Sequence, residues 1–247
     1  MQASVPDQLH LLDLQEIDTE IARLRHAASS LPELAELAVA RKEHQAVSQE
    51  LVAAETQVSD LELAERKAEE DVVPVRERLA RDERQVADGS VTDPKALSGL
   101  LGEIEHLKKR IGDLEDAQLE VMERLEAARS AAETAAAEKA RIAADGRRLT
   151  ATRNEKAAAF ADQVSQQEAA RGELVGALPT DLLALYERIR TKNGGVGAAL
   201  LQRGRCGGCT LQLTNEEMSR IRATGADELV RCPECDRILV RTAESGL

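Results

Sequence analysis

The chain has 247 residues, a net charge of -12, one Phe, one Tyr and no Trp. So few aromatic side chains exclude a large conventional globular core, which aromatics dominate. The abundance of Ala, Leu, Glu and Arg points instead to long helices or coiled coil. Ten of the 33 basic and nine of the 45 acidic residues fall in 179–247, leaving a net of -13 on residues 1–178. Phosphate backbones are repelled by most of the chain, so any nucleic-acid contact must come from the C-terminal part or a local basic stretch. The N-terminus lacks a basic start followed by an apolar run, and no stretch approaches a membrane span of about 18 apolar residues. A cytoplasmic location is expected, with no membrane contact. In such a reducing compartment four Cys point to metal ligands more than to disulfides.

Leu14, Ile17, Ile21, Leu24 and Ala28 recur at spacings of three and four, which predicts a helix over 5–29. Ser29, Ser30 and Pro32 interrupt it, with Pro32 suited to the first turn of a second helix. From there a heptad repeat runs in two rows. One is Leu37, His44, Leu51, Val58, Glu65, Val72, Leu79 and Val86. The other is Ala40, Val47, Ala54, Leu61, Ala68, Val75 and Asp82. Such a repeat specifies a left-handed coiled coil. His44, Glu65 and Asp82 break the apolar pattern, and are read as register-setting or seam-edge residues. Pro74 lies inside this helix and predicts a kink, static or hinged, and not an end, because the register continues through it.

Asp88-Gly-Ser-Val-Thr-Asp93-Pro94 reads as a reversal: Gly89 suits a helix end, Asp93 an N-cap and Pro94 the first helical position. A returning arm repeats the pattern with Leu97, Ile104, Ile111, Gln118, Leu125 and Ala132 in one row. Leu100, Leu107, Leu114, Val121, Ala128, Ala135, Ile142 and Leu149 form the other. Beyond Leu125 Ala replaces larger side chains, so less area is buried there. Residues 5–87 and 94–176 match in length, which predicts an antiparallel hairpin on the order of 120 Å long. Residues 5–29 would then lie beside 169–178. A parallel dimer of separate helices is the competing arrangement, disfavoured by the Gly and Pro turn at the midpoint.

A short helix is expected over 181–190, ended by Asn193-Gly-Gly195, then a strand over 196–202. Two Cys pairs follow, Cys206-Gly-Gly-Cys209 and Cys232-Pro-Glu-Cys235. Each pair can grip a metal within one tight turn, and two such turns complete a tetrahedral thiolate site for one Zn2+. Redox pairs or disulfides are the alternatives, but no parallel-sheet unit surrounds either pair. Four thiolates leave no open coordination position, so the ion is structural and not catalytic. Thr214-Asn-Glu-Glu217 reads as a capping box opening a helix to about Ala223, and strands are expected over 229–231 and 237–241.

The segment TDPKALSGLLGEIEHLKKRIGDLED (92–116), and YERIR, CGGC and CPECDRIL within 186–239, resemble the bacterial coiled-coil zinc-ribbon family that includes CdsZ and FlgZ. The resemblance carries Cys206, Cys209, Cys232 and Cys235 over as zinc ligands. Asp236 stands where that family commonly has Gly, and Asp tolerates the same left-handed backbone. Relatives are described as nucleic-acid-binding, or as adaptors for flagellar, secretion or transcription components, and none as an enzyme. The expected fold is therefore mainly α: an antiparallel coiled-coil hairpin over 1–178, with its tip near 88–93 and a break near 29–32, and a zinc ribbon over 179–247.

Two functions compete. One is a non-enzymatic scaffold or adaptor binding protein partners through the coiled coil, since a hairpin exposes much surface and offers no substrate pocket. The other is RNA or DNA binding through basic residues of the ribbon: Arg188, Arg190, Lys192, Arg203 and Arg205, with Arg220, Arg222, Arg231, Arg237 and Arg241 near them. Such groups make phosphate contacts, although stacking aromatics are missing. A third reading, an acidic tip reaching into a larger enzyme, rests on Asp88 and Asp93, which turn chemistry explains better. Catalysis by the chain is not expected: its four His are scattered and it has no Gly-rich phosphate loop.

Overall fold

The computed structural model describes all residues, Met1–Leu247, in two compact units. One is Ala35–Thr150; the other joins Met1–Leu34 to Ala151–Leu247. Helix α1 is Val5–Ser29, α2 is Pro32–Ala87 and α3 is Pro94–Ala177. These ends agree with the capping signals. The Ser4 hydroxyl accepts from the Asp7 backbone N–H, and the Asp93 carboxylate accepts from that of Ala96. Gly89 takes φ 67°, the left-handed conformation that closes a helix at least strain.

Within Ala35–Thr150, α2 and α3 run antiparallel. Glu83 pairs with Lys108 at 3.2 Å and Glu62 with Arg129 at 2.8 Å, and Arg76 pairs with Glu115 between them. Every residue of the two heptad rows on each helix in this unit is buried or half-buried. Leu61, Leu125 and Ala128 form one tight layer, with Val58 and Val121 against it. His44, Glu65 and Asp82 are half-buried at the seam. Helix α2 continues unbroken through Pro74.

The other unit is built on α1, the end of α3, a fourth helix α4 (Thr180–Lys192) and a small sheet. Its strands are β1 (Ala198–Gln202), β2 (Arg205–Cys206), β3 (Val230–Arg231) and β4 (Ile238–Val240), in spatial order β2-β1-β4-β3. β1 and β4 pair in parallel, and both outer pairings are antiparallel. Helix α5 (Asn215–Ala223) opens with the Thr214/Glu217 capping box expected from the sequence.

Both faces of this sheet are covered, and side chains alternate between them. Ala198, Ile238 and Val240 join Leu11 and Leu14 of α1 and Leu182, Leu185, Tyr186 and Ile189 of α4 in one core. Ala199, Leu201 and Leu239 face a second core with Cys206, Cys232, Leu213 and Ile221. A boundary at residue 178 therefore cuts through a shared core, because α1 and α4 both supply the helical layer under the sheet. Residues 5–29 do lie beside the end of α3. Arg25 pairs with Glu168 at 2.6 Å, and Leu174 and Val175 pack on the core containing Leu11 and Leu14. The N-terminal residues also extend the ribbon: the Ala3 N–H donates to Asp227 O at 2.8 Å and that of Leu229 to Met1 O at 3.0 Å.

Candidate metal centre and the surface around it

The two knuckles use the same backbone device. The Cys206 N–H donates to Leu211 O, and that of Thr210 returns to Cys206 O. In the second knuckle the Cys232 N–H donates to Arg237 O and that of Asp236 to Cys232 O. Each turn closes on a left-handed residue, Thr210 at φ 63° and Asp236 at φ 64°. Asp236 adopts the conformation expected of it, and its carboxylate pairs with Arg231. Thr210 was not foreseen: a β-branched residue is strained there.

The four Sγ atoms lie within 4.8 Å of one another. Cys206 and Cys235 are 3.8 Å apart, as are Cys209 and Cys232, so all four are free thiols and not disulfides. A tetrahedron with Zn–S bonds of about 2.3 Å has edges of about 3.8 Å, which those two separations match. Burial pushes the Cys206 and Cys232 thiols up. Burial raises Cys235 too, but hydrogen bonds from Arg237, Cys232 and Cys209 together outweigh it and hold the thiol at about 7. Thiols buried among themselves are stable as ligands once a cation replaces their protons.

The basic residues named from the sequence divide sharply. Arg190 is half-buried and already committed to acidic partners. It pairs with Asp18 at 3.1 Å and Glu187 at 3.0 Å, in a network that also holds Arg171. The Arg205 guanidinium donates to Thr210 O at 3.2 Å and so braces the first knuckle. Arg237 donates to Val196 O and Asn193 O, and Arg241 to carbonyls of Thr224, Gly225, Ala226 and Glu228. Arg220 and Arg231 each pair with an acid, and Arg222 reaches Gly246 O. Only Arg188, Lys192 and Arg203 are exposed with no side-chain partner.

Sequence reasoning also missed two side chains of α1. The Gln15 amide accepts from the Gly197 N–H at 2.7 Å and donates to Gly195 O at 3.0 Å, fixing the entry to β1. Asp18 is almost fully buried and gathers Tyr186, Arg171 and Arg190. Their positions in the helical pattern identify them as core-facing, and a buried Asp or Gln needs partners. At the hairpin tip, Asp88 accepts from Ser90 and Asp93 from Ala96. Both carboxylates are occupied by the turn.

Fold and site together define a coiled-coil hairpin protein ending in a zinc ribbon. Residues 14–194 match the CT398-like coiled coil hairpin domain, and residues 205–239 match a C4-type zinc ribbon domain. The chain belongs to this CT398-like coiled-coil hairpin family. It is 37% identical to the uncharacterized protein Rv2229c of Mycobacterium tuberculosis, over 98% of both chains. To the uncharacterized protein ML1638 of Mycobacterium leprae it is 32% identical, over 91% of this chain and 96% of that one. A structure from Mycobacterium smegmatis superimposes with TM-score 0.83 at 32% identity, over 98% of this chain and 100% of the other. CT398 from Chlamydia trachomatis shares the fold, with TM-score 0.68 at 18% identity over 95% and 97%. The chain thus carries a four-cysteine centre for one structural zinc, and no helix is long and apolar enough to cross a membrane.

Proposed function

We propose that the protein is a non-enzymatic scaffold that binds protein partners through its coiled coil and works in the cytoplasm, where thiolate ligands stay reduced. The observation that carries this reading is how the side chains are used. The metal has a closed set of four thiolates, and the buried carboxylate Asp18 is fully paired. The charged groups that line the cleft beside Asp18 are committed to one another as ion pairs, while the two long helices expose many side chains to solvent.

Nucleic-acid binding through the ribbon is the second reading, supported by the free cations Arg188, Lys192 and Arg203. It is the weaker one, because the other basic side chains named for it hold the fold together. Retention of partners from native extract by the tagged full chain, with and without nuclease, tests the pair. Protein partners that persist after nuclease support the scaffold. Partners that all disappear with nuclease overturn it in favour of nucleic acid.

A further inference from the structure

On one flank of the hairpin, ion pairs close the groove between α2 and α3 at heptad spacings, with one position skipped where the register sets Glu69 against Met122. Glu83 faces Lys108; seven residues down α2 and seven up α3, Arg76 faces Glu115; two heptads further, Glu62 faces Arg129. Continuing the same register brings Glu55 opposite Ala136, Ser48 opposite Ala143 and Arg41 opposite Thr150. No acid faces Arg41, and the ladder stops.

The seam beneath loses volume at the same place. Three heptads on from the Leu61–Leu125 layer the register sets Ala40 against Gly146, whose missing side chain leaves open space with nothing within 4 Å of where a Cβ would stand. Ala40 and Ala143 are its small neighbours. The result is a groove of about 420 Å³ with an apolar floor. Arg41, His44 and Arg147 line its edges, with no carboxylate among the lining residues. Neither Arg41 nor Arg147 has an ion-pair partner or a hydrogen-bond acceptor. The groove thus sets two unpaired cations on either side of an apolar gap.

We propose that this groove is the docking site for an acidic amphipathic helix of a partner protein, an assignment that rests on the scaffold reading. A gap between two antiparallel helices has the shape that a third helix fills, ridge into groove. The partner's apolar row enters over Gly146, Ala40 and Ala143, and its flanking carboxylates reach Arg41 and Arg147, resuming the interrupted ladder. A phosphate polymer would meet the two arginines but leave the apolar floor uncovered, and the net -13 on residues 1–178 would repel it.

The test uses the zinc-loaded full chain and a fluorescent 21-residue probe peptide with Leu at heptad positions a and d and Glu at e and g, beside a twin with Lys for Glu. The acidic peptide binds at least ten-fold tighter than the twin. Gly146→Leu, which fills the groove without touching charge, weakens it ten-fold or more while helicity is kept. Arg41→Glu with Arg147→Glu reverses the preference toward the Lys twin. Equal binding of both peptides, no binding of the acidic one, or binding indifferent to Gly146→Leu overturns the assignment. So does a single-stranded oligonucleotide that binds wild type and not the double variant, or a dimer of the chain that Gly146→Leu dissociates. If the peptide does not bind but both variants still retain from extract every protein the wild type retains, the groove falls and the scaffold stands.

Discussion

The Tyr186 hydroxyl donates to the Asp18 carboxylate across 2.7 Å, joining residues 168 positions apart inside the core under the zinc ribbon. Asp18 also receives Arg171 at 2.8 Å and Arg190 at 3.1 Å. One buried carboxylate thereby ties α1 to α3 and α4. Burial, and then the hydrogen bond to Asp18, push the Tyr186 hydroxyl far above its ordinary range, so it stays a donor at all working pH values.

Asp18→Asn keeps the shape and removes the charge, leaving Arg171 and Arg190 short of their shared anion. Breaking a fully buried ion pair costs about 3–5 kcal/mol, but both arginines reach solvent, so about 2–3 kcal/mol is expected here. Tyr186→Phe should cost only about 1 kcal/mol, since Asp18 keeps two cations. Urea unfolding of Asp18→Asn, followed by the fluorescence of the single tyrosine, reports on this unit directly. A loss below that of Tyr186→Phe, the latter followed by circular dichroism, would contradict the network's role.

Much of this was legible in the sequence, for a definable reason. Val5–Ser29, the reversal at Gly89 and the α5 capping box are written in local patterns, where each residue's partners lie three, four or seven positions away. The cysteine pairs are local signals too. The two-residue strand β2, the pairing of Met1–Ala3 with the loop around Asp227, and the capture of Arg190 by Asp18 all depend on partners far along the chain. Periodicity marks Asp18 as inward-facing but says nothing about which cations meet it. Arg190 accordingly read as a phosphate contact when it is a structural ion-pair partner.

The shared core has a consequence for dissection. A fragment starting at Pro179 keeps the cysteines but loses Leu11, Leu14 and Gln15, exposing Tyr186, Ile238 and Val240. Two Leu alone represent about 3–6 kcal/mol of burial. The zinc-loaded fragment should therefore show weak amide protection in β1 and β4, and a peptide spanning Met1–Ser29 added in trans should raise it. Full protection without the peptide would mean that the ribbon does not need α1.

Metal loading should depend on pH with a defined sign. Zinc needs four thiolates, whereas in the metal-free centre Cys206 and Cys232 are raised by burial and Cys235 lies at about 7. Binding displaces the remaining protons, so affinity falls as pH falls, by about ten-fold per unit for each proton displaced. Zinc competition with a chromophoric chelator across neutrality measures the slope. Cys232→Ser should lose zinc and melt the sheet while the helicity of Ala35–Thr150 survives. A flat pH profile would argue against thiolate ligation.

Pro74 lies inside α2 between Val72 and Val75 of the seam, yet the helix continues and Arg76 still reaches Glu115. A proline in a helix interior costs about 3 kcal/mol through a lost hydrogen bond and a clash. Pro74→Ala should then stabilise the hairpin by about 1–3 kcal/mol, the lower figure applying if a bend at Pro74 relieves the clash. If Pro74 is a hinge that partner binding uses, Pro74→Ala raises the thermal midpoint but weakens partner retention. If it is a static bend, only the midpoint moves.

Thr210 and Asp236 occupy equivalent left-handed positions in the two knuckles, at φ 63° and 64°, but they are not equally at ease there. Asp tolerates this region, and Asp236 gains a surface pairing with Arg231. Thr carries a branched Cβ that crowds the backbone, a penalty of about 1–2 kcal/mol. Replacing it with Gly removes the strain but adds about 0.5–1 kcal/mol of unfolded-state entropy. Thr210→Gly should therefore gain about 0.5–1 kcal/mol, and Asp236→Gly close to nothing. Because the Thr210 N–H donates to Cys206 O and its carbonyl accepts from Arg205, the backbone contacts survive either change. The gain should appear as slower zinc loss to excess chelator from the Thr210→Gly protein, by a factor of about 2–5. Faster loss from Thr210→Gly than from wild type would show that the threonine side chain supports the knuckle instead of straining it.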